Sequence, residues 1–322
     1  MNIELSAEAA EFGRLGLRAL GEAGGDQLVV LAEDEPGRRE SMVAPVLGEL
    51  GAWALDPRGD AGELEAAAAL CRSVGYWAAP YPVAERLARP PDLPVDGLVV
   101  VPVGAGAGPY GAVAGLTLRW AAVTLAGRRS LAVARPSAAP ARESAFVAAL
   151  DLTPIDGVGS VADAALGLVL PCWTLLGMLD RAISLARAHV LVREQFGTPL
   201  ASLQGVQFQL ADAEVERSGV EMLAKYGLWS LQVGNPEALD DALALRLAAI
   251  EAAEVVFRVA HQLHGAMGFC DEAPLSWLSR YSQPLRRLPL GRSATLDVLT
   301  ARLGRRGLTG LFSEPNGTSN EI

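Results

Sequence analysis

Between Ser160 and His189 the chain carries a helix that water cannot surround. Ser160 and Asp163 have the spacing of a capping box, and apolar residues then recur to His189 at helical intervals. Ala164 to Met178 holds no charge at all. A surface helix keeps one polar face, so a helix apolar all round has to be wrapped by other elements. The uncharged run is short for a membrane span and Pro171 interrupts it, so a buried core helix is expected. A second uncharged stretch, Gly97 to Leu118, is long enough to span, but Pro102, Pro109 and repeated glycines would break a helix there. No membrane span is expected.

The elements that wrap the core helix follow from pattern and punctuation. Downstream, a loop with Gly197, Pro199 and Ser202 leads into a second helix from Ser202 to Gln232, ended by Gly234. Asn235, Pro236 and Glu237 suit the N-cap, first position and first turn of a third helix, which runs to the break at Gly265 and Gly268. A last helix is expected near Ser293–Arg306. Upstream, amphipathic patterns cover Ser6–Leu20, Arg38–Leu50 and Glu63–Leu87. From Pro90 to about Thr153 the composition shifts to Gly, Pro, Val and Thr, with apolar runs at Leu98–Val103, Leu116–Leu125 and Ser130–Ala134 that read as short strands. The expected architecture is mostly α. It comprises an N-terminal helical domain (1–90), a small reduced β domain (91–156) and a C-terminal antiparallel four-helix bundle (157–312), followed by a disordered polar tail (313–322).

Charge and composition exclude several functions. A formal net charge of −10 argues against nucleic acid, which is held by clustered Lys and Arg, and the only lysine is Lys225. Cys71, Cys172 and Cys270 are odd in number and far apart, which gives neither a disulfide framework nor a metal spacing and fits a reduced, cytoplasmic setting. The acidic start, MNIELSAEAAEFG, lacks the basic and apolar regions of a secretion signal. Gly104, Gly106, Gly108 and Gly111 resemble a nucleotide loop, but Pro109 and no helix follow them, so a plain turn is expected. His261 and His264 are three apart, yet only Asp271 and Glu272 could add a third ligand, so no metal is expected. With His189 as the one other histidine and no Gly-x-Ser-x-Gly elbow, a Ser/His triad has no footing.

Two motifs remain. The segment from Val190 to Gln207 contains Arg193, Gln195, Phe196, Gly197, Pro199 and Gln204, and about 70 residues later comes Gln262-Leu-His264-Gly265-Ala266-Met-Gly268-Phe269. On physics alone, Arg193 is a dipole partner for a helix C-terminus and Phe196–Gly197 a hydrophobic cap. Together, in order and separation, the two motifs resemble the Arg-x-x-Phe-Gly and Gln-x-x-Gly-Gly-x-Gly-Phe signatures of acyl-CoA dehydrogenases. The resemblance is good over 160–312 and fair over 40–90, where Leu47–Gly51 and Ala79-Pro80-Tyr81-Pro82 carry it. It implies a bundle that dimerises, and FAD contacts made across the dimer by Arg193, Gln195, Phe196, Gln204, Gln262, His264, Gly265 and Ala266. Arg193 offers a permanently charged planar fork for pyrophosphate. Gln195 and Gln262 can hydrogen-bond the cofactor, and Gly265 with Ala266 lets backbone approach it.

The same resemblance exposes what is missing. The family removes an α-proton with a glutamate; at its usual place before the last helix this chain has Leu290, and at the alternative place on the first bundle helix it has Gly167. The Gly-Ser-Asp loop and Trp-Ile-Thr-like strand that cover the flavin are also absent between Leu93 and Asp156. No catalytic residue is therefore assigned. The pattern is similar to the reduced subunit of α2β2 actinobacterial acyl-CoA dehydrogenases of steroid side-chain breakdown. It implies a second dehydrogenase subunit carrying the base, an acyl-CoA substrate and an electron-transfer acceptor. Two other readings stay open: a self-sufficient homo-oligomer with a displaced base such as Asp297 or Glu272, and a structural or regulatory paralogue that binds no flavin.

Overall fold

The computed structural model describes residues 3–102, 108–135, 145–155 and 159–306. The expected tail, 313–322, and the centre of the Gly104–Gly111 loop lie outside them. Ser6 caps α1 (Ala7–Glu22) by accepting the Ala9 N–H. After the turn at Gly24 and Gly25 comes α2 (Gln27–Asp34), a helix too short to announce itself by periodicity. It is followed by α3 (Arg39–Glu49). The expected single helix over Glu63–Leu87 is two: α4 (Ala61–Tyr76), capped by Asp60, and α5 (Val83–Leu87). Pro80 and Pro82 lie between them, and Ala78 takes a positive φ of 46°, so helical hydrogen bonding cannot run through.

The β region holds β1 (Gly97–Val101), β2 (Tyr110–Gly111), β3 (Trp120–Thr124), β4 (Arg129–Ala134) and β5 (Ala148–Pro154), in the order β1-β3-β4-β5-β2. β1 and β3 are parallel, with Gly97 opposite Trp120; the other pairs are antiparallel. β2 and β5 were not evident in the sequence. β2 is only two residues long and β5 mixes Asp and Thr into its apolar pattern. Alternation assigns the faces: Leu98, Val100, Ala121 and Val123 join the main core, while Val99, Val101, Trp120 and Ala122 enclose a second, smaller one. Both faces of β1 are therefore buried.

The bundle consists of α6 (Val161–Val192), α7 (Gln204–Gln232), α8 (Ala238–His264) and a final helix. Between α7's approach and α6 lies a short hairpin, β6 (Glu194–Gln195) with β7 (Thr198–Pro199). Two short helices, α9 (Pro274–Tyr281) and α10 (Gln283–Arg287), precede the last bundle helix, α11 (Arg292–Arg306). Ser160 does cap α6 through the Asp163 N–H, but Asp163 does not reciprocate. Its carboxylate, 2% exposed as a residue, instead joins Arg58 and Arg129 and ties the start of α6 to the N-terminal helices and β4. Asn235 accepts the Glu237 N–H as the expected cap, and the regular turns of α8 begin at Ala238. α6 passes a length and apolarity test for a membrane helix, yet 78% of its most apolar window is buried within the protein. Its partners are α4, α7 and α8.

Helices α4 and α6 cross with their backbones almost touching. A Cβ on Gly75 would lie 1.8 Å from the Thr174 carbonyl oxygen, and one on Gly177 would lie 1.8 Å from the carbonyl oxygen of Arg72. Arg72 then reaches Asp180 on α6 (2.6 Å) and Glu221 on α7 (3.2 Å), and Arg217 closes the set on Glu221 (2.6 Å). The Arg217 and Arg72 guanidiniums overcome burial and hold the Glu221 carboxyl down to about 2.

Gly177→Ala should cost at least about 1–3 kcal/mol, because the new methyl meets backbone rather than a movable side chain. Gly219→Ala, on the open face of α7 with nothing within 4 Å, should instead gain up to about 1 kcal/mol. Urea unfolding of the two variants checks this; a Gly177→Ala chain as stable as the parent would contradict the close crossing.

Candidate functional site

The two sequence motifs meet at one end of the bundle. His189, in the last turn of α6, stacks on His264, in the last turn of α8, with ring centroids 4.6 Å apart. The His264 Nδ1–H donates to the Ala260 carbonyl (2.8 Å), which orients that ring from within its own helix. His261 stacks on Phe269 at 4.4 Å. Burial pushes the His189 and His261 imidazoles below the ordinary range, and the neighbouring His264 lowers both further. Arg193 also acts on His189, which places its charge at the same end.

α6 stops at Arg193, whose backbone turns extended. The chain then reverses through Phe196 and Gly197, at φ 53° and 80°, between the paired Gln195 and Thr198. Two consecutive positive φ values joining paired strands are the geometry of a type I′ turn. Glycine takes it freely; Phe196 does not, and a bulky residue held there merits a functional explanation. The turn lifts the ring 91% into solvent, so it packs on no helix of its own chain. Gln195, Gln204, Gln262, Gly265 and Ala266 are exposed as well. Gly265 has φ 61° and open space beside it, and Arg193 forms no ion pair among the described residues. A guanidinium, three primary amides and an unobstructed backbone thus share one surface.

That surface continues as an apolar stripe that periodicity alone did not single out. Phe208 (59% exposed), Val215 (69%) and Met222 (51%) recur every seven residues along α7, and Met267 and Phe269 extend beyond α8. The signal was present as apolar residues in phase with one another, but out of phase with the buried Ala213, Val220 and Ala224.

The two positions where a base was sought lie elsewhere: Gly167 lines a half-open pocket of about 110 Å³ together with Arg39, Tyr81, Glu85, Arg246 and Pro289 among others, and Leu290 follows Pro289 outside that lining. Gly167 is wedged against β1: a Cβ there would come within 2.6 Å of Val100. A glutamate there would have to push the Val100 side chain aside. Leu290 is held by its backbone, its carbonyl accepting from the Arg246 guanidinium at 2.7 Å. Asp297 and Glu272, the displaced-base candidates, are both exposed and outside the cavity. The acid that does line it is Glu85, which sequence reasoning missed because nothing in its α5 context marks it. Burial raises its carboxyl and Arg39 acts in opposition.

Residues 169–294 match the profile of the acyl-CoA dehydrogenase C-terminal domain. A curated relative, acyl-CoA dehydrogenase FadE28 of Mycobacterium tuberculosis, is 32% identical over 126 residues, 39% of this chain and 37% of that protein. The matched stretch spans about a third of the length of such relatives. The fold is shared over nearly the whole chain. A chain from the ChsE4-ChsE5 complex of Mycobacterium tuberculosis superposes with a TM-score of 0.75 at 17% identity, covering 96% of this chain and 100% of that one. A chain of the Tcur3481-Tcur3483 steroid ACAD G363A variant does so with a TM-score of 0.75 at 20% identity, covering 92% and 98%.

Because the folded imidazoles of His189 and His261 hold protons less tightly than the ordinary value of about 6.5, the unfolded chain takes up protons first as pH falls. Stability from this end should therefore be full above that value and decline as pH drops below it. His189 should titrate below the ordinary range by NMR, and His264→Gln should move it upward. An ordinary midpoint in the parent, or no movement in the variant, would contradict the stacked arrangement.

Proposed function

We propose that this chain, whose residues 169–294 match the acyl-CoA dehydrogenase C-terminal domain and whose fold is shared with the neighbours above, is the base-less subunit of a hetero-oligomeric, FAD-dependent acyl-CoA dehydrogenase. It supplies FAD contacts in trans, while an unlike partner supplies the flavin pocket, the catalytic glutamate and most of the acyl-CoA site. The observation that carries this is an asymmetry within one molecule. The surface end of the bundle keeps Arg193, Gln195, Gln204, Gln262 and the open Gly265. The positions that would run the chemistry hold Leu290 and Gly167, and the pocket that Gly167 lines has about 110 Å³, well under the roughly 300–1,000 Å³ of pockets that hold ligands of drug size.

The residues present fit FAD at the surface end only. Arg193 would take the pyrophosphate as a charge-assisted fork, Gln195, Gln204 and Gln262 would hydrogen-bond the cofactor, and Gly265 and Ala266 would let the backbone approach. His264, with Nδ1–H committed to Ala260, would present its other ring nitrogen. Phe196 would pack against the cofactor or the partner, which accounts for a ring 91% exposed. Bound FAD supplies the acceptor for the β-hydride. The exposed stripe of Phe208, Val215 and Met222 would be covered by the partner, as apolar patches of this kind seldom stay open. A steroid side-chain CoA ester is the proposed substrate class, and an α2β2 assembly the proposed form, by analogy with the heteromeric fold neighbours.

Expression alone and with a neighbouring dehydrogenase subunit tests the proposal. The lone chain should be colourless or poorly soluble, and the co-purified pair yellow; a yellow, active homo-oligomer of this chain alone would overturn it. In the pair, Arg193→Ala should weaken FAD retention by about 1.5–3 kcal/mol with assembly intact. Unchanged flavin content in that variant would remove Arg193 from the site.

A further inference from the structure

The half-open pocket at Gly167 has a charge balance that hydrophobic packing does not explain. The chain as a whole carries a net charge of −10, yet the cavity is lined by two buried arginines and one acid, Glu85. Arg39 is 1% exposed. Its terminal nitrogens donate to the carbonyls of Ala112 and Ala114, and Phe146 stacks beneath its guanidinium at 4.4 Å. Its Nε–H is buried with no hydrogen-bond partner. Arg246 is 2% exposed, and every hydrogen bond it makes among the described residues goes to a backbone carbonyl, those of Leu285, Arg286 and Leu290.

Carbonyls satisfy the donors of a guanidinium but do not neutralise it. A buried cation without a counter-charge is strongly unfavourable, and an orphaned donor adds a further penalty. One carboxylate for two guanidiniums leaves the cavity short of negative charge, and burial opposes ionisation of the carboxylate it has. Val99, Met178 and Leu285 give the lining an apolar side, while Tyr81, Tyr110, Thr174 and Tyr281 add hydroxyls. At about 110 Å³ the space is well under the roughly 300–1,000 Å³ of pockets that hold drug-sized ligands. Such a space suits a short-chain acid and is far too small for a flavin or a CoA ester.

We propose that this cavity is a binding site for a small aliphatic monocarboxylate, its carboxylate taken by the unpartnered Nε–H of Arg39 and its chain by the apolar lining. The inference is independent of the trans flavin reading, since the cavity lies away from Arg193 and the Phe196 turn. A carboxylate fits better than a spherical inorganic anion because one side of the space is apolar. It fits better than a neutral isostere because only a charge answers the arginines.

The test is calorimetric and thermal-shift titration of the full-length chain, in the assembly in which it purifies. The probes are sodium acetate and butyrate, with butyramide and sodium chloride as controls at matched ionic strength. Saturable binding and a raised melting temperature with butyrate, at least tenfold weaker with butyramide and absent with chloride, is the expected result. Equal stabilisation by the amide or by chloride, or none by either carboxylate, would overturn the proposal. Because losing a buried arginine can itself unfold a chain, the unaltered protein decides the question. An Arg39→Gln chain that keeps its helical circular dichroism should lose butyrate binding at least tenfold, and retained binding would overturn the assignment to Arg39.

Discussion

The backbone contact between α4 and α6 is the constraint on which the rest of the molecule depends. α6 is too apolar for water along most of its length, so something must lie against it closely enough to leave no gap. Gly75 and Gly177 remove the side chains that would hold the helices apart, and each backbone then meets a carbonyl of the other helix. With the helices this close, Arg72 of α4 reaches Asp180 and Glu221, and the N-terminal helices are locked to two helices of the bundle at once. The sheet is placed by the same logic at the other end, where Gly167 of α6 receives Val100 of β1. A side chain at Gly75 or Gly177 would meet backbone and move a whole helix, and one at Gly167 would displace the Val100 side chain.

This close packing also accounts for the divided character of the molecule. At the two places where a proton-abstracting glutamate would stand, Gly167 packs against Val100 and Leu290 is held through its carbonyl by Arg246. The interior is therefore built for stability with a small charged cavity left over. At the far end of α6 the motif side chains Arg193, Gln195 and Phe196 are exposed. The chain emerges as Arg193, reverses through a strained Phe196–Gly197 turn and returns as α7 with apolar side chains in solvent. Strain and exposure of that kind are ordinarily compensated by contacts with another molecule.

Much of the fold was legible in sequence because the signals were long. The three long bundle helices, α1, α3 and three of the five strands follow from periodicity, within a few residues. What escaped was short or decided by tertiary contact. α2, α9 and α10 have eight residues or fewer, β2 has two, and the split of α4 from α5 depends on where Pro80 and Pro82 fall relative to the core. The motif residues from Arg193 to Ala266 were visible as a pattern, whereas their meeting depends on the His189–His264 stack, which spacing does not encode. Glu85, Arg39 and Arg246 were illegible as a group. They lie on three helices, and only folding brings them to one cavity.

The central claim is that one end of this chain holds a flavin housed by an unlike subunit. A density map of the FAD-loaded complex tests it most directly. The expected result has the FAD pyrophosphate within hydrogen-bonding reach of Arg193, the Gln262–Ala266 backbone alongside the cofactor, and the isoalloxazine ring against the partner. A flavin ring seated between β1 and α6 of this chain, or a cofactor that leaves Arg193 and Phe196 in solvent, would contradict it.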